Sequence, residues 1–241
     1  MIRTAITAVF LLFFFLVSLP LYALIPIVAK LDQKKADRMA QGAVCWALRC
    51  VFGITGSRLT VTGQELIPGD EPVVYIGNHQ SYFDIVTTYP YVSGTVGYIA
   101  KKEINAVPLL GWWMPLLHGL TFDRDDPKSG IQMIRTAIDQ LKAGYSMFVF
   151  PEGTRSKDGR LGEFKTGSFK LVTRTGCAIV PVAIKGTARI FEDHIPFLKP
   201  SDVNIRFGEV IRINELDPED KKHIALYVRD RVEEMLRQMP G

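Results

Sequence analysis

The chain has 241 residues, 47% of them hydrophobic, and a formal net charge of +4. That length suits one large domain with a substantial core, and three cysteines without metal-site or disulfide spacing point to reduced thiols rather than a disulfide scaffold. The mild positive charge suits an anionic membrane surface or an acidic partner; with no arginine-rich arm or known binding motif, nucleic acid is not expected as a partner.

No charged side chain occurs between Arg3 and Lys30. A helix needs roughly 20 residues to cross a hydrocarbon core, and this uncharged run of 26 residues is long enough. A cleaved signal peptide would need a small-residue site, which Leu21-Tyr22-Ala23 matches poorly. A single span fits the length. Pro20 and Pro26, however, tend to end or kink a helix, and the unbroken part from Ile6 to Leu19 is only about 21 Å long against a core of about 30 Å. An interfacial or re-entrant hairpin is the competing expectation, its second arm running from about Asp32 to Phe52 with Met39, Ala43, Trp46, Ala47 and Cys50 at helical spacing. Both readings put the protein on a membrane. Residues 1–52 are therefore predicted as a hydrophobic anchoring segment of helices, and 53–241 as the remaining domain. Lys30, Lys34, Lys35 and Arg38 come after the apolar run and only Arg3 precedes it, so the domain beyond them is expected on the cytoplasmic side.

From Leu59 onward, short β-branched runs alternate with amphipathic segments, the pattern of an α/β domain. Strands are predicted at Leu59–Thr62, Val73–Gly77, Val96–Ala100, Leu120–Asp123, Met147–Phe150, Ala178–Ile184 and Val203–Phe207. Helices are predicted at Ser81–Val92, Lys128–Lys142 and Thr166–Thr175. A closing helix is capped by Asp217, with Pro218 in its first turn and Glu219 and Asp220 toward the positive end of the dipole. The segment NAVPLLGWWMPLLHG, residues 105–119, is apolar without being strand-like. Its tryptophans suit an acyl-chain pocket, a membrane interface or a cap on the core.

Two His-x-x-x-x-Asp pairs occur, His79/Asp84 in NHQSYFD and His118/Asp123 in HGLTFD. In a helix the two side chains diverge by about 140°, and in a strand they sit about 17 Å apart, so contact requires a bend. The first pair has one, because a strand ends at Gly77 and Ser81 begins a helix. The second does not, because Leu120-Thr121-Phe122 reads as strand. His79 and Asp84 are thus the candidate catalytic pair, although Ser81-x-x-Asp84 also matches a capping box in which Asp84 would serve only backbone amides. FPEGTRS, residues 150–156, leaves another strand at what should be the ligand-binding edge. Arg155 offers a planar fork for phosphate and Gly153 permits close backbone approach. A mutual Glu152–Arg155 ion pair is the alternative reading.

NHQSYFD, then Phe122-Asp123-Arg124, FPEGTRS and Val180-Pro181-Val182 together resemble the four-block pattern of the glycerolipid acyltransferases, and most of all the bacterial 1-acyl-sn-glycerol-3-phosphate acyltransferases. The resemblance covers roughly Val73 to Ile184; one mild departure is Thr121 where many relatives carry an aliphatic residue. It implies a single α/β domain whose mixed, largely parallel sheet is flanked by helices, preceded by a membrane-associated segment at the inner, cytoplasmic membrane. It also implies transfer of an acyl chain from acyl-CoA or acyl carrier protein to the 2-hydroxyl of lysophosphatidic acid. His79 would be the general base and Asp84 its orienting partner, with no enzyme nucleophile, metal or bound cofactor. Arg155, Arg124 and Lys101 would meet the phosphate, while Glu152 and Gly153 would shape the loop or touch the glycerol. Lys157, Arg160 and Lys165 form a basic cluster suited to the donor. Another lysolipid acceptor would use the same blocks. A scaffold that had lost activity is disfavoured by the intact blocks, and a phosphatase by the lack of a visible metal-ligand cluster or cysteine nucleophile.

Overall fold

The structure, a computed structural model, describes residues 1–107 and 110–240. The helices are α1 (Ile2–Val17), α2 (Leu19–Ala29), α3 (Gln33–Thr55), α4 (Phe83–Thr88), α5 (Leu110–Leu116), α6 (Pro127–Lys142), α7 (Lys170–Thr175), α8 (Pro218–Lys222) and α9 (Ile224–Gln238). The strands are β1 (Arg58–Thr62), β2 (Val73–Gly77), β3 (Val96–Lys101), β4 (Leu120–Phe122), β5 (Ser146–Val149), β6 (Ala178–Lys185) and β7 (Asp202–Phe207).

The strands form one sheet in the order β1-β7-β6-β2-β5-β3-β4. From β6 to β4 every neighbouring pair is parallel; β7 runs antiparallel to β6 and pairs in parallel with β1. The sheet is therefore mixed and mostly parallel, as expected. All five residues of β2 and all four of β5 are buried, which fits a sheet covered on both faces. On one face Val74, Ile76, Met147 and Val149 pack with Ala137 and Leu141 of α6 and Val228 and Val232 of α9. On the other, the Tyr98 and Tyr75 rings flank Phe148 at 4.7 and 5.7 Å, and α3 adds Val44, Cys45 and Leu48. A parallel sheet built this way sends the C-terminal ends of β6, β2, β5, β3 and β4 to a single edge, where ligands bind in open α/β sheets.

The N-terminal helices differ in detail from either expectation. α1 and α2 meet at a 46° bend, and among the described residues no single helix is long and apolar enough to span a membrane, although the bent pair meets that test in length and composition. The break falls at Ser18, with Pro20 in the first turn of α2, where its missing N–H costs nothing. Pro26 lies inside α2 without ending it, so residues 19–29 are helix rather than a link between two arms. α3 begins where expected: the Asp32 side chain caps it by accepting from the Lys35 N–H at 3.0 Å. Its Ala36, Ala40 and Ala47 are buried against Phe14, Ile25 and Trp113, and its Val51 lies with Phe83, Ile190 and Leu198.

The predicted Ser81–Val92 helix is shorter: α4 gives way to a 3₁₀ turn at Tyr89–Tyr91, where Pro90 removes a donor. The first four residues of the predicted Thr166–Thr175 helix are also 3₁₀, and only α7 is α-helical. Asp217 makes no side-chain cap bond, and the closing helix is divided at His223 into α8 and α9. Within 105–119, Trp113 is buried by α1 and α2, stacking on Phe14 at 5.9 Å and meeting Tyr22 at 5.1 Å, whereas Trp112 is 60% exposed. Pro108 and Leu109 of that stretch lie outside the described residues.

Candidate active site

The loop after β2 is built around one buried carboxylate. Oδ2 of Asp84 accepts hydrogen bonds from the backbone N–H groups of Gln80 (2.7 Å) and Ser81 (2.9 Å) and lies 2.7 Å from Nδ1 of His79. Oδ1 accepts from the Thr187 hydroxyl at 2.5 Å. Asp84 is 0% exposed and has donors on both oxygens, so it is an acceptor only, and the proton of the His79 contact sits on Nδ1. Nε2 is left as the basic nitrogen. Capping and orientation, which the sequence offered as alternatives, are combined in this one side chain: Ser81 Oγ reciprocates by accepting from the Phe83 N–H at 2.9 Å.

Other groups fix the imidazole. Its ring stacks on Phe150 with centroids 4.2 Å apart, the His79 N–H donates to Oε1 of Glu152 at 2.8 Å, and the His79 carbonyl accepts from the Ser156 N–H at 2.8 Å. The His79 side chain is 18% exposed, so the imidazole is sheltered yet reachable. Asn78 is buried and clamps the end of β2 to β6, donating to the Ile184 carbonyl (2.9 Å) and accepting from the Ile184 N–H (2.8 Å).

Glu152 and Arg155 do not form the mutual ion pair offered as an alternative. Glu152 is buried and accepts from two backbone amides, His79 N–H on Oε1 and Gly162 N–H on Oε2 at 2.9 Å. Burial pushes its carboxyl above the usual value, and those two amides oppose the rise. Its role is thus to join the loops after β2 and β5. Arg155 instead reaches Glu192: Nη1 donates to Oε1 at 2.7 Å, and the guanidinium carbon lies 3.8 Å from the centre of the Tyr82 ring. Gly153 has φ +70°, the left-handed backbone that favours glycine, and a Cβ there would lie 3.0 Å from the movable Nζ of Lys165.

Lys101 ends β3, and Arg124 lies two residues beyond β4. With strands about 4.8 Å apart, they stand about 10 and 14 Å along the edge from the His79 strand. Neither forms a salt bridge among the described residues, whereas Lys102 pairs with Asp123 at 2.5 Å. Arg160 of the basic cluster is paired with Asp158 at 3.8 Å.

His118 is apart from Asp123, as the bend argument required. Its partner is Asp37 of α3, with Nε2 2.8 Å from Oδ1, and its ring stacks on Tyr145 at 3.9 Å. His118 adopts φ +54°, and its carbonyl packs so closely on β3 that a Cβ on Gly97 would lie 2.1 Å away. The second histidine thus ties α3 to the α/β domain.

Sequence reasoning missed Thr187 and Glu192. Thr187 lies 103 residues from Asp84, and Glu192 lies 111 and 110 from Ser81 and Tyr82 and 37 from Arg155; the one local signal is that both come after a strand, β6, that ends at the same edge as β2.

A family model described as Acyltransferase matches residues 58–185, which include the loops after β2, β3, β4 and β5. The chain belongs to the acyltransferase family. The chloroplastic 1-acyl-sn-glycerol-3-phosphate acyltransferase LPAT1 of Arabidopsis thaliana is 41% identical over 55% of this acyltransferase, a match that spans 37% of the plant protein's own length. The 1-acyl-sn-glycerol-3-phosphate acyltransferase of Borreliella burgdorferi is 28% identical over 74% of this chain and 72% of its own. The crystal structure of PlsC, the 1-acyl-sn-glycerophosphate acyltransferase of Thermotoga maritima, superposes with a TM-score of 0.77 at 26% identity and covers 99% of both chains. This acyltransferase therefore shares the PlsC fold from end to end.

Proposed function

We propose that this acyltransferase moves an acyl chain from an acyl thioester, acyl-CoA or acyl carrier protein, to the 2-hydroxyl of lysophosphatidic acid, giving phosphatidic acid. The observation that carries the reading is the His79–Asp84 pair. A buried carboxylate, saturated with donors, holds Nδ1 protonated and turns Nε2 into a base at the ligand edge. Nε2 takes the hydroxyl proton as the oxygen attacks the thioester carbonyl. Collapse of the tetrahedral intermediate breaks the C–S bond, and the imidazolium returns the proton to the leaving thiolate. Asp84 orients the ring and stabilises the imidazolium without taking the proton. The cycle balances with no enzyme nucleophile and calls on no metal or bound cofactor. Among the described residues no cluster of three or more His, Cys, Asp and Glu is arranged to hold a metal.

Arg155 supplies the fork for the acceptor's phosphate, with Lys101 and Arg124 as further cations on the same edge. Gly153 and Glu152 shape the loop beside them. The enzyme acts on a phospholipid membrane surface. Val9, Leu12, Phe13, Leu16, Leu24 and Ile27 of α1 and α2 are all more than 40% exposed, a concentration of exposed large apolar side chains that supports residues 1–52 as the anchor and 53–241 as the acyltransferase domain. Lys30, Lys34, Lys35 and Arg38 favour the cytoplasmic side of the inner membrane.

The test is incubation of the purified protein with lysophosphatidic acid and either acyl-CoA or acyl carrier protein thioester, with parallel arms containing other lysolipids. Phosphatidic acid as the principal product is the expected result; preferential acylation of another lysolipid would reassign the acceptor.

A further inference from the structure

Glu192 stands in a 3₁₀ turn beyond β6, and its carboxylate gathers three donors from two other loops. Oε2 accepts from the Ser81 hydroxyl at 2.5 Å, while Oε1 accepts from the Tyr82 N–H at 2.9 Å and from Arg155 Nη1 at 2.7 Å. The Glu192 side chain is 17% exposed, unlike the solvated carboxylates of the surface pairs Arg58–Asp202 and Arg160–Asp158. It thereby connects the loop that carries His79 to the arginine of the loop after β5, the neighbouring strand.

We propose that Glu192 is a positioning residue for acceptor binding: it holds Arg155 against the Tyr82 ring with part of its guanidinium fork turned to the ligand. The inference rests on the reading of Arg155 as the phosphate-binding arginine. A free arginine loses much rotamer entropy when it binds an anion, whereas one already pinned at Nη1 and stacked on an aromatic face has lost it beforehand. Only Nη1 is spent on Glu192, so other guanidinium N–H groups stay available to a phosphate. The Glu192 charge opposes an incoming anion, and the sign of its effect on affinity shows whether orientation or charge repulsion wins. The geometry favours orientation, because a group that merely competed for Arg155 would have no use for the Ser81 and Tyr82 bonds. Those bonds fix where the carboxylate stands, and hence where the arginine stands.

The experiment measures steady-state kinetics of the full chain with lysophosphatidic acid in detergent micelles, which takes vesicle docking out of the comparison. For Glu192→Ala the expected result is a KM for lysophosphatidic acid raised about tenfold or more, with kcat and the KM for the acyl donor changed much less. Glu192→Gln keeps an acceptor oxygen for Tyr82 and Arg155 and should recover most of that loss. In an Arg155→Ala background, Glu192→Ala should add little, because it acts through the arginine. An acceptor KM that is unchanged or lowered in Glu192→Ala, while Arg155→Ala raises it, overturns the positioning role and leaves the phosphate reading standing. So does a loss of kcat and thermal stability at constant KM, which would make Glu192 a brace for the His79 loop. If Arg155→Ala itself leaves the acceptor KM unchanged, the phosphate reading fails and takes the inference with it.

Discussion

The hydroxyl of Thr187 donates to Oδ1 of Asp84 at 2.5 Å, across 103 residues of chain, and both residues are fully buried. This bond occupies the one aspartate oxygen that faces away from His79, so the carboxylate has no freedom to rotate off the imidazole. Thr187→Val keeps the volume and removes the donor. It should cost about 1–3 kcal/mol of stability, because a buried charged oxygen is left unpaired. It should also lower kcat more than it raises either KM. Thermal unfolding and steady-state kinetics check both parts, and an unaltered kcat would mean that Asp84 holds His79 without help.

The two histidines should separate cleanly. His79→Ala should reduce turnover by at least the ~10²–10⁴ that general-base catalysis supplies, with the fold retained. His118→Ala should keep most of its turnover per folded molecule. It should nevertheless be less stable by about 1–3 kcal/mol, since buried Asp37 would keep only its 2.7 Å bond from Gln33 Nε2 and whatever Tyr145 provides. Equal losses of turnover in the two variants would contradict the assignment of His79 as the base.

Glu152→Gln is a sharper substitution than its size suggests. Each carboxylate oxygen accepts a different backbone N–H, so the glutamine amide must turn its NH2 toward either His79 N–H or Gly162 N–H. Two donors then face each other in a buried site, at a cost of about 1–3 kcal/mol, with the loop that presents His79 loosened. The expected outcome is a lower melting temperature together with a lower kcat. A variant with wild-type stability would show that the loops after β2 and β5 are joined by other means.

Membrane docking is better tested by substitution than by truncation. Removing residues 1–52 would take away buried Ala36, Ala40, Ala47 and Val51 along with the Asp37 partner of His118, and so part of the domain's own packing. Replacing exposed Val9, Phe13 and Ile27 by serine leaves those contacts in place. The triple variant should float poorly with phosphatidylglycerol-containing vesicles and acylate vesicle-borne acceptor slowly, yet retain activity on micellar acceptor. Undiminished flotation would show that α1 and α2 are not the docking face.

The strands, and the edge at which the candidate site lies, are legible in the order of residues alone. Buried parallel strands are short β-branched runs between turn residues, and all seven predicted strands are found within a residue or two of their observed ends. His79 and Asp84 were legible because five residues across a strand-to-helix bend make their contact a local matter. Helix ends were less legible, since Pro90 and the turn at Thr166–Phe169 shift the backbone to 3₁₀ geometry that apolar spacing does not record. The partners of the polar side chains emerged only from the packed fold. Arg155 could be assigned to nearby Glu152 by proximity in sequence, but Glu152 is taken by two amides and the arginine by Glu192, 37 residues away. His118 found Asp37, 81 residues earlier, and Thr187 found Asp84. Such pairs are made where separate loops converge on one sheet edge or where α3 lies against the domain. A hydrogen bond of that kind depends on strand order and helix packing, and neither is written in the spacing of the residues it joins.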